Sequence, residues 1–217
     1  MDISEKEIVF IDEYLKKKGI KYWDLRIEMI DHIVSIIEHD SKSINFKSAF
    51  KNSLVEIGWL GNLAYLNALG WKNVNTWFRR EYHKGFLNFF KCVKNVILFL
   101  SATMLLYILS ENITFQQFEV VCFTLFVTPL TLVLIEFIKS SNKKYGRSVN
   151  LDYSTIYLVL SFLILNVFPT FFSHLPETIQ KVGWFFLLMI HYVAFYSGYR
   201  LYKKTIIKLN SLKKLYK

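Results

Sequence analysis

FEVVCFTLFVTPLTLVLIEFI, residues 118–138, decides the fold of this chain. Its only charged side chains, Glu119 and Glu136, stand beside its two ends, and everything between them is apolar or hydroxylic. A helix needs about 20 predominantly apolar residues to cross the hydrocarbon of a bilayer, at a rise of about 1.5 Å per residue. The stretch meets that length and reads as a spanning helix, with a kink expected at Pro129.

Three further segments share this character. VKNVILFLSATMLLYILS (93–110) holds only Lys94, close enough to its end to snorkel. YSTIYLVLSFLILNVFPTFFS (153–173) carries no charge and a second expected kink at Pro169. VGWFFLLMIHYVAFYSGY (182–199) has none unless His191 is protonated. Four such segments in the second half of a 217-residue chain leave too little polar surface to cover them as buried helices of a soluble fold. Four spans are therefore expected, at about 93–110, 118–138, 153–173 and 182–200.

Basic residues set the orientation. Arg79, Arg80, Lys84, Lys91 and Lys94 precede the first span, and Lys139, Lys143, Lys144 and Arg147 lie between the second and third. Arg200, Lys203, Lys204, Lys208, Lys213, Lys214 and Lys217 follow the fourth, whereas the other two loops carry Lys181 between them. Both termini are expected in the cytoplasm of a bacterium, with the chain multi-pass in the inner membrane. The net charge of +10 then belongs to the membrane edges, where anionic lipid attracts it, and not to a nucleic-acid site. The tail YKKTIIKLNSLKKLYK (202–217) alternates apolar residues with lysines and is expected to lie on the membrane surface as an amphipathic helix.

Charged side chains are much denser before residue 94 than after it, which makes the chain bipartite. The opening MDISEKEIVFIDEYLKKKG is acidic and amphipathic and has no small-residue cleavage site, so no secretory signal is expected. Cys92 and Cys122 offer no disulfide framework. Ser4 and Glu7 form the capping-box pattern S-x-x-E, and Gly19 supplies the stop of a first helix. Asn45 is placed to cap a third helix that ends at Gly58. WLGNLAYLNALGW (59–71) then reads as a short apolar helix between glycines. An amphipathic juxtamembrane stretch follows, in which Trp77, Arg79, Arg80 and Lys84 are candidate anchors at the membrane interface.

Between the first and third helices stands EMIDHIVSIIEHD (28–40), with two acid–histidine pairs. On a wheel of 100° per residue, Ile27, Met29, Ile30, Ile33, Val34, Ile36 and Ile37 fill one half. Glu28, Asp31, His32, Ser35, Glu38 and His39 fill the opposite arc. Glu28 and His32 at i, i+4 could share an ion, but a metal site needs three or four ligands. His39 stands about 10 Å further along the axis. No metal, no cofactor and no catalytic group is expected, and Glu28, Asp31, His32, Ser35 and His39 become a candidate partner-binding face. His191, near the middle of its span, is a candidate intramembrane polar site. Packing against Asn166, Ser101, Thr128 or Thr131 is its plainer role.

YLKKKG (14–19), RIEMIDHIVSIIE (26–38) and NFKSAFKNSLVEIGW (45–59), followed by a membrane bundle, resemble the HAAS domain, an α-solenoid-like signalling module of bacterial membrane proteins. In that resemblance Glu28, Asp31 and His32 match the polar signature, and Ala49, Phe50 and Gly58 the packing positions. The chain departs from it at GWLGN (58–62), where G-x-P is usual. The lysine- and isoleucine-rich style is similar to that of small flavobacterial membrane proteins. The resemblance implies a regulatory protein that senses the envelope, whose partner is a transcriptional regulator or a membrane complex.

The expected fold is all-α. A cytoplasmic helical domain (1–72) leads through a juxtamembrane helix (73–92) to a four-helix transmembrane bundle (93–204) and a basic tail (205–217). The expected function is non-enzymatic: a membrane protein with a cytoplasmic interaction domain, in contact with the bilayer and a protein partner, and open to homo-oligomerisation. A structural subunit of a larger membrane complex is the alternative. A small transporter ranks below it, because the spans offer no chain of polar groups.

Overall fold

The computed structural model describes residues 3–39, 45–61, 63–143, 145–166 and 174–215. They are predominantly helical, with no strand among the described residues. In chain order the helices are α1 (Glu5–Lys17), α2 (Trp23–His39), α3 (Phe46–Glu56), α4 (Leu63–Lys91) and α5 (Val93–Asn112). Then come α6 (Phe115–Asn142), α7 (Val149–Val159, running on as a 3-10 segment Leu160–Asn166) and α8 (Glu177–Leu215). The chain divides into two compact units, Met1–Thr76 with Tyr145–Asp152, and Trp77–Lys144 with Tyr153–Lys217.

In the first unit, the expected caps form. The Glu7 carboxylate accepts from the Ser4 N–H at 2.8 Å and the Ser4 hydroxyl at 2.7 Å. The Asn45 side chain accepts from Ser48 N–H at 2.9 Å. Gly19 (φ 94°) and Gly58 (φ 75°) take the left-handed conformation that ends α1 and α3. Ile11 and Leu15 of α1 meet Met29, Ile30, Ile33 and Ile37 of α2 and Ala49, Phe50 and Leu54 of α3 in one buried cluster. Arg26 joins α1 to α2, pairing with Asp12 at 2.6 Å and donating to the Ile20 carbonyl at 3.1 Å.

A segment distant in sequence completes this unit. Asp24, at the start of α2, is 2% exposed. Its carboxylate accepts from the Ser148 hydroxyl (2.7 Å), the Val149 N–H (3.1 Å), the Asn150 N–H (3.0 Å) and the Asn150 side-chain amide (2.8 Å). Trp23 N–H donates in turn to the Arg147 carbonyl at 3.2 Å. The first turn of a helix has free N–H groups and the positive end of its dipole, so a carboxylate there is both capped and charge-matched. Asp24 therefore caps α7 from another helix.

The second unit holds three helices long and apolar enough to cross a membrane: α5, α6 and α8 over Glu177–Lys214. Val149–Leu163 is apolar but shorter, and residues 167–173 of the expected third span, with Pro169, lie outside the described residues. Phe118, Cys122 and Phe126 of α6 pack on Trp184, Leu187 and Leu188 of α8 in its main core cluster. Lys181 reaches the Ser110 carbonyl near the end of α5 at 2.8 Å, a cation on free C-terminal carbonyls.

Two boundaries differ from the sequence reading. Residues 63–91 form one helix, not a short apolar helix and a separate juxtamembrane one. A lone glycine costs a helix only about 1 kcal/mol, and at Gly70 the missing side chain admits Leu25, whose Cδ1 lies 3.1 Å from where a Cβ would be. Likewise the last apolar segment and the basic tail are continuous in α8, since no proline or glycine follows Gly198 before its end.

Close backbone approaches fix α8 in the second unit. A Cβ at Gly198 would run into the Tyr157 carbonyl oxygen, and one at Gly85 into the Ser197 hydroxyl. That hydroxyl donates to the Tyr82 carbonyl at 2.6 Å. Gly198→Ala should therefore destabilise the chain by about 2–3 kcal/mol, more than Gly85→Ala, because a side-chain hydroxyl can turn aside and a backbone carbonyl cannot. Asp24→Ala, which leaves buried N–H groups of α7 without an acceptor, should cost about 3 kcal/mol. Denaturant unfolding of the full chain in detergent measures all three.

Candidate functional site

The α2 face is built as its periodicity dictates. Glu28, Asp31, His32, Ser35, Glu38 and His39 are all exposed, while Met29, Ile30, Ile33 and Ile37 are buried beneath them. The two histidines have local anchors. His39 Nδ1 lies 2.7 Å from the Ser35 carbonyl, and the His32 ring stands edge-on to Trp59 with centroids 6.4 Å apart. Glu28 and Asp31 have no ion-pair partner among the described residues. No group of three or more His, Cys, Asp or Glu side chains there converges into a set able to hold a metal ion. The arc is thus a solvated surface of two free carboxylates and two imidazoles on a rigid, buried base, suited to charge-assisted hydrogen bonds with a protein surface.

His191 lies in the second unit and is wholly buried. Its ring stacks on Phe126 at 3.8 Å and meets Phe162 edge-on at 4.9 Å. Nδ1 is 3.3 Å from the Ser161 carbonyl, which requires the proton on Nδ1. The expected side-chain partners are not used. Ser101, Thr128 and Thr131 donate to carbonyls of their own helices, at 2.8, 2.7 and 2.8 Å. A hydroxyl that donates to a carbonyl three or four residues back is satisfied within its own helix, which removes it as a donor to a neighbouring helix. The Asn166 side chain lies outside the described residues.

Beside His191 stands a bond that the sequence reading missed. Pro129 lies inside α6 and has no N–H, so the carbonyl four residues back is left free. That carbonyl, on Leu125, accepts from the Tyr192 hydroxyl at 2.7 Å. The signal was present in the spacing: a proline within a span marks the residue four before it as an acceptor in search of a donor. Asp24, the other residue missed, had no such signal, because its donors are more than a hundred residues away.

The expected interface anchors occupy α4. Trp77 is half-buried, edge-on to Phe78 at 4.9 Å, with Lys204 Nζ 5.6 Å over its ring. Arg79 and Arg80 are exposed. Lys84 pairs with Glu81 at 3.1 Å, and that bond is the main cause holding the Glu81 carboxyl below its ordinary range. From the neighbouring position of α8, Lys203 binds Glu136 of α6 at 2.9 Å, and Lys139 binds the same carboxylate at 3.6 Å.

The surroundings of His191 are those of an aromatic packing position. His191→Phe, which keeps a ring against Phe126, should change stability by less than about 1 kcal/mol, whereas His191→Ala should cost about 3 kcal/mol for the cavity it leaves. Thermal unfolding of the two variants in the same detergent separates packing from any need for the imidazole. No family model matches the chain, and neither a curated protein nor a solved structure matches it.

Proposed function

We propose that this chain is a non-enzymatic, multi-pass membrane protein whose helical head binds a protein partner through the polar face of α2. The observation that carries this reading is the arc Glu28, Asp31, His32, Ser35 and His39, exposed as one surface above a buried aliphatic row. Such a face is fixed in shape and free in charge, the combination that lets a docking surface select by electrostatic complementarity. Beside α5, α6 and α8, the uncharged stretch 153–173 of the sequence supports a fourth span. The distribution of Lys and Arg supports an inner-membrane location with both termini in the cytoplasm.

The resemblance to HAAS domains supports a regulatory role in envelope sensing, with a transcriptional regulator or a membrane complex as the partner. Ala49 and Phe50, two of its packing positions, are buried here, and Gly58 is in the left-handed turn. A photo-crosslinker placed at Ser35 of the full-length chain in intact cells should yield one discrete protein adduct. Combining it with Asp31→Lys and His32→Ala should reduce that adduct at least about tenfold, the effect of losing roughly 1.4 kcal/mol of contact energy. Membrane insertion should be unaffected. An adduct of the same yield in the altered chain removes the α2 face from the mechanism.

A further inference from the structure

A groove of about 810 Å³ runs through the second unit, between α5, α6 and α8. Asn95, Ala102 and Leu106 line it from α5, Leu132 from α6, and Phe185 and Tyr199 from α8. It exists because α5 packs loosely: in the apolar window of that helix only 6% of the residues are buried. Three properties narrow what can occupy it. From Phe185 to Tyr199 the groove follows α8 for about 21 Å, a little more than the ~15 Å of a single leaflet of hydrocarbon. It is an open groove and not a closed cavity: Leu98 and Leu132 of its lining are also exposed on the outer surface, so a slender apolar chain can enter it from the side.

The third property is charge. Asn95 donates to the Tyr196 hydroxyl at 3.4 Å, which places the start of α5 beside the Tyr196–Tyr199 end of the groove. Lys94 adjoins Asn95 and is exposed. Lys203 stands one turn beyond Tyr199, its Nζ 5.7 Å over that ring. Lys203 and Lys139 share the single carboxylate of Glu136. Three lysines against one acid leave this mouth cationic, while the rest of the groove is almost wholly apolar. A basic mouth on an apolar slot between membrane helices is the pattern that recognises an anionic headgroup with its acyl chain.

We infer that the groove between α5, α6 and α8 binds an anionic glycerophospholipid, its acyl chain along α8 and its headgroup at Lys94, Lys139 and Lys203. The site lies outside the α2 face and rests only on the membrane reading of the second unit.

Resistance of the full-length chain to carbonate extraction is tested first, since release by carbonate would overturn the membrane reading and this site with it. Native mass spectrometry of the purified chain, with phosphatidylglycerol or phosphatidylcholine added, then reads the site. One phosphatidylglycerol should be retained with about a tenfold preference over phosphatidylcholine, as expected for about two net positive charges near the headgroup. Ala102→Trp, which fills the groove, should abolish the retained lipid, and Leu105→Trp, on the exposed side of α5, should leave it in place. Lys94→Gln with Lys203→Gln should bring the preference down to about unity.

Equal retention of the two lipids by the native chain overturns the proposal, as does loss in both tryptophan variants or a selective adduct that survives Ala102→Trp. A dimer that binds no lipid and is broken by Ala102→Trp would also overturn it, making a second copy of the chain the occupant.

Discussion

Four uncharged side chains of α8 donate to main-chain carbonyls of other helices, and these bonds organise the second unit. His191 reaches Ser161, Tyr192 reaches Leu125, Ser197 reaches Tyr82 and Tyr202 reaches Glu136. A hydroxyl or imidazole N–H in apolar surroundings without an acceptor is costly, so each bond fixes the side chain that donates it. The remaining hydroxyls of α5 and α6 turn back on their own helices, as Thr103 does on Phe99 and Thr124 on Val120. Within this unit polar atoms thus serve two ends: local closure, by the hydroxyls of α5 and α6, and helix-to-helix attachment, mainly from α8.

The first unit uses the same economy with a charged group. Asp24 is placed by α2, yet its bonds are spent on the start of α7, so the head is not a contiguous stretch of chain. The loop that the sequence presents as a plain basic connection between spans contributes Tyr145–Asp152 to that head. Gly146, at φ 76°, makes the turn that delivers it, with Trp23 Cδ1 3.8 Å from the place of a Cβ. The same helix that offers the polar face therefore also anchors a helix start, through the residue at its opposite end.

What was legible in the sequence were the features written in local period and local chemistry. The wheel separated buried Ile30, Ile33 and Ile37 from exposed Asp31, His32 and Ser35, because burial of one stripe is what holds a short helix in place. Ser4, Asn45, Gly19 and Gly58 marked their helix ends, since each acts on its own backbone within a few residues. The continuity of α4 was hidden because Gly70 looks the same in a sequence whether it stops a helix or makes room for Leu25. The acceptors of His191 and Tyr192 were hidden for a different reason. They are carbonyls, which every residue has, and only the packed neighbour shows which one is in reach.

Ser197 and Gly198 are consecutive, and they face different neighbours: Gly85 and Tyr82 of α4 on one side, Tyr157 of α7 on the other. At this point three backbones are separated by little more than hydrogens. Sliding any of these helices along its neighbours would drive a carbonyl or a Cβ into the gap. The crossing thus acts as a stop that sets the axial register of the three helices.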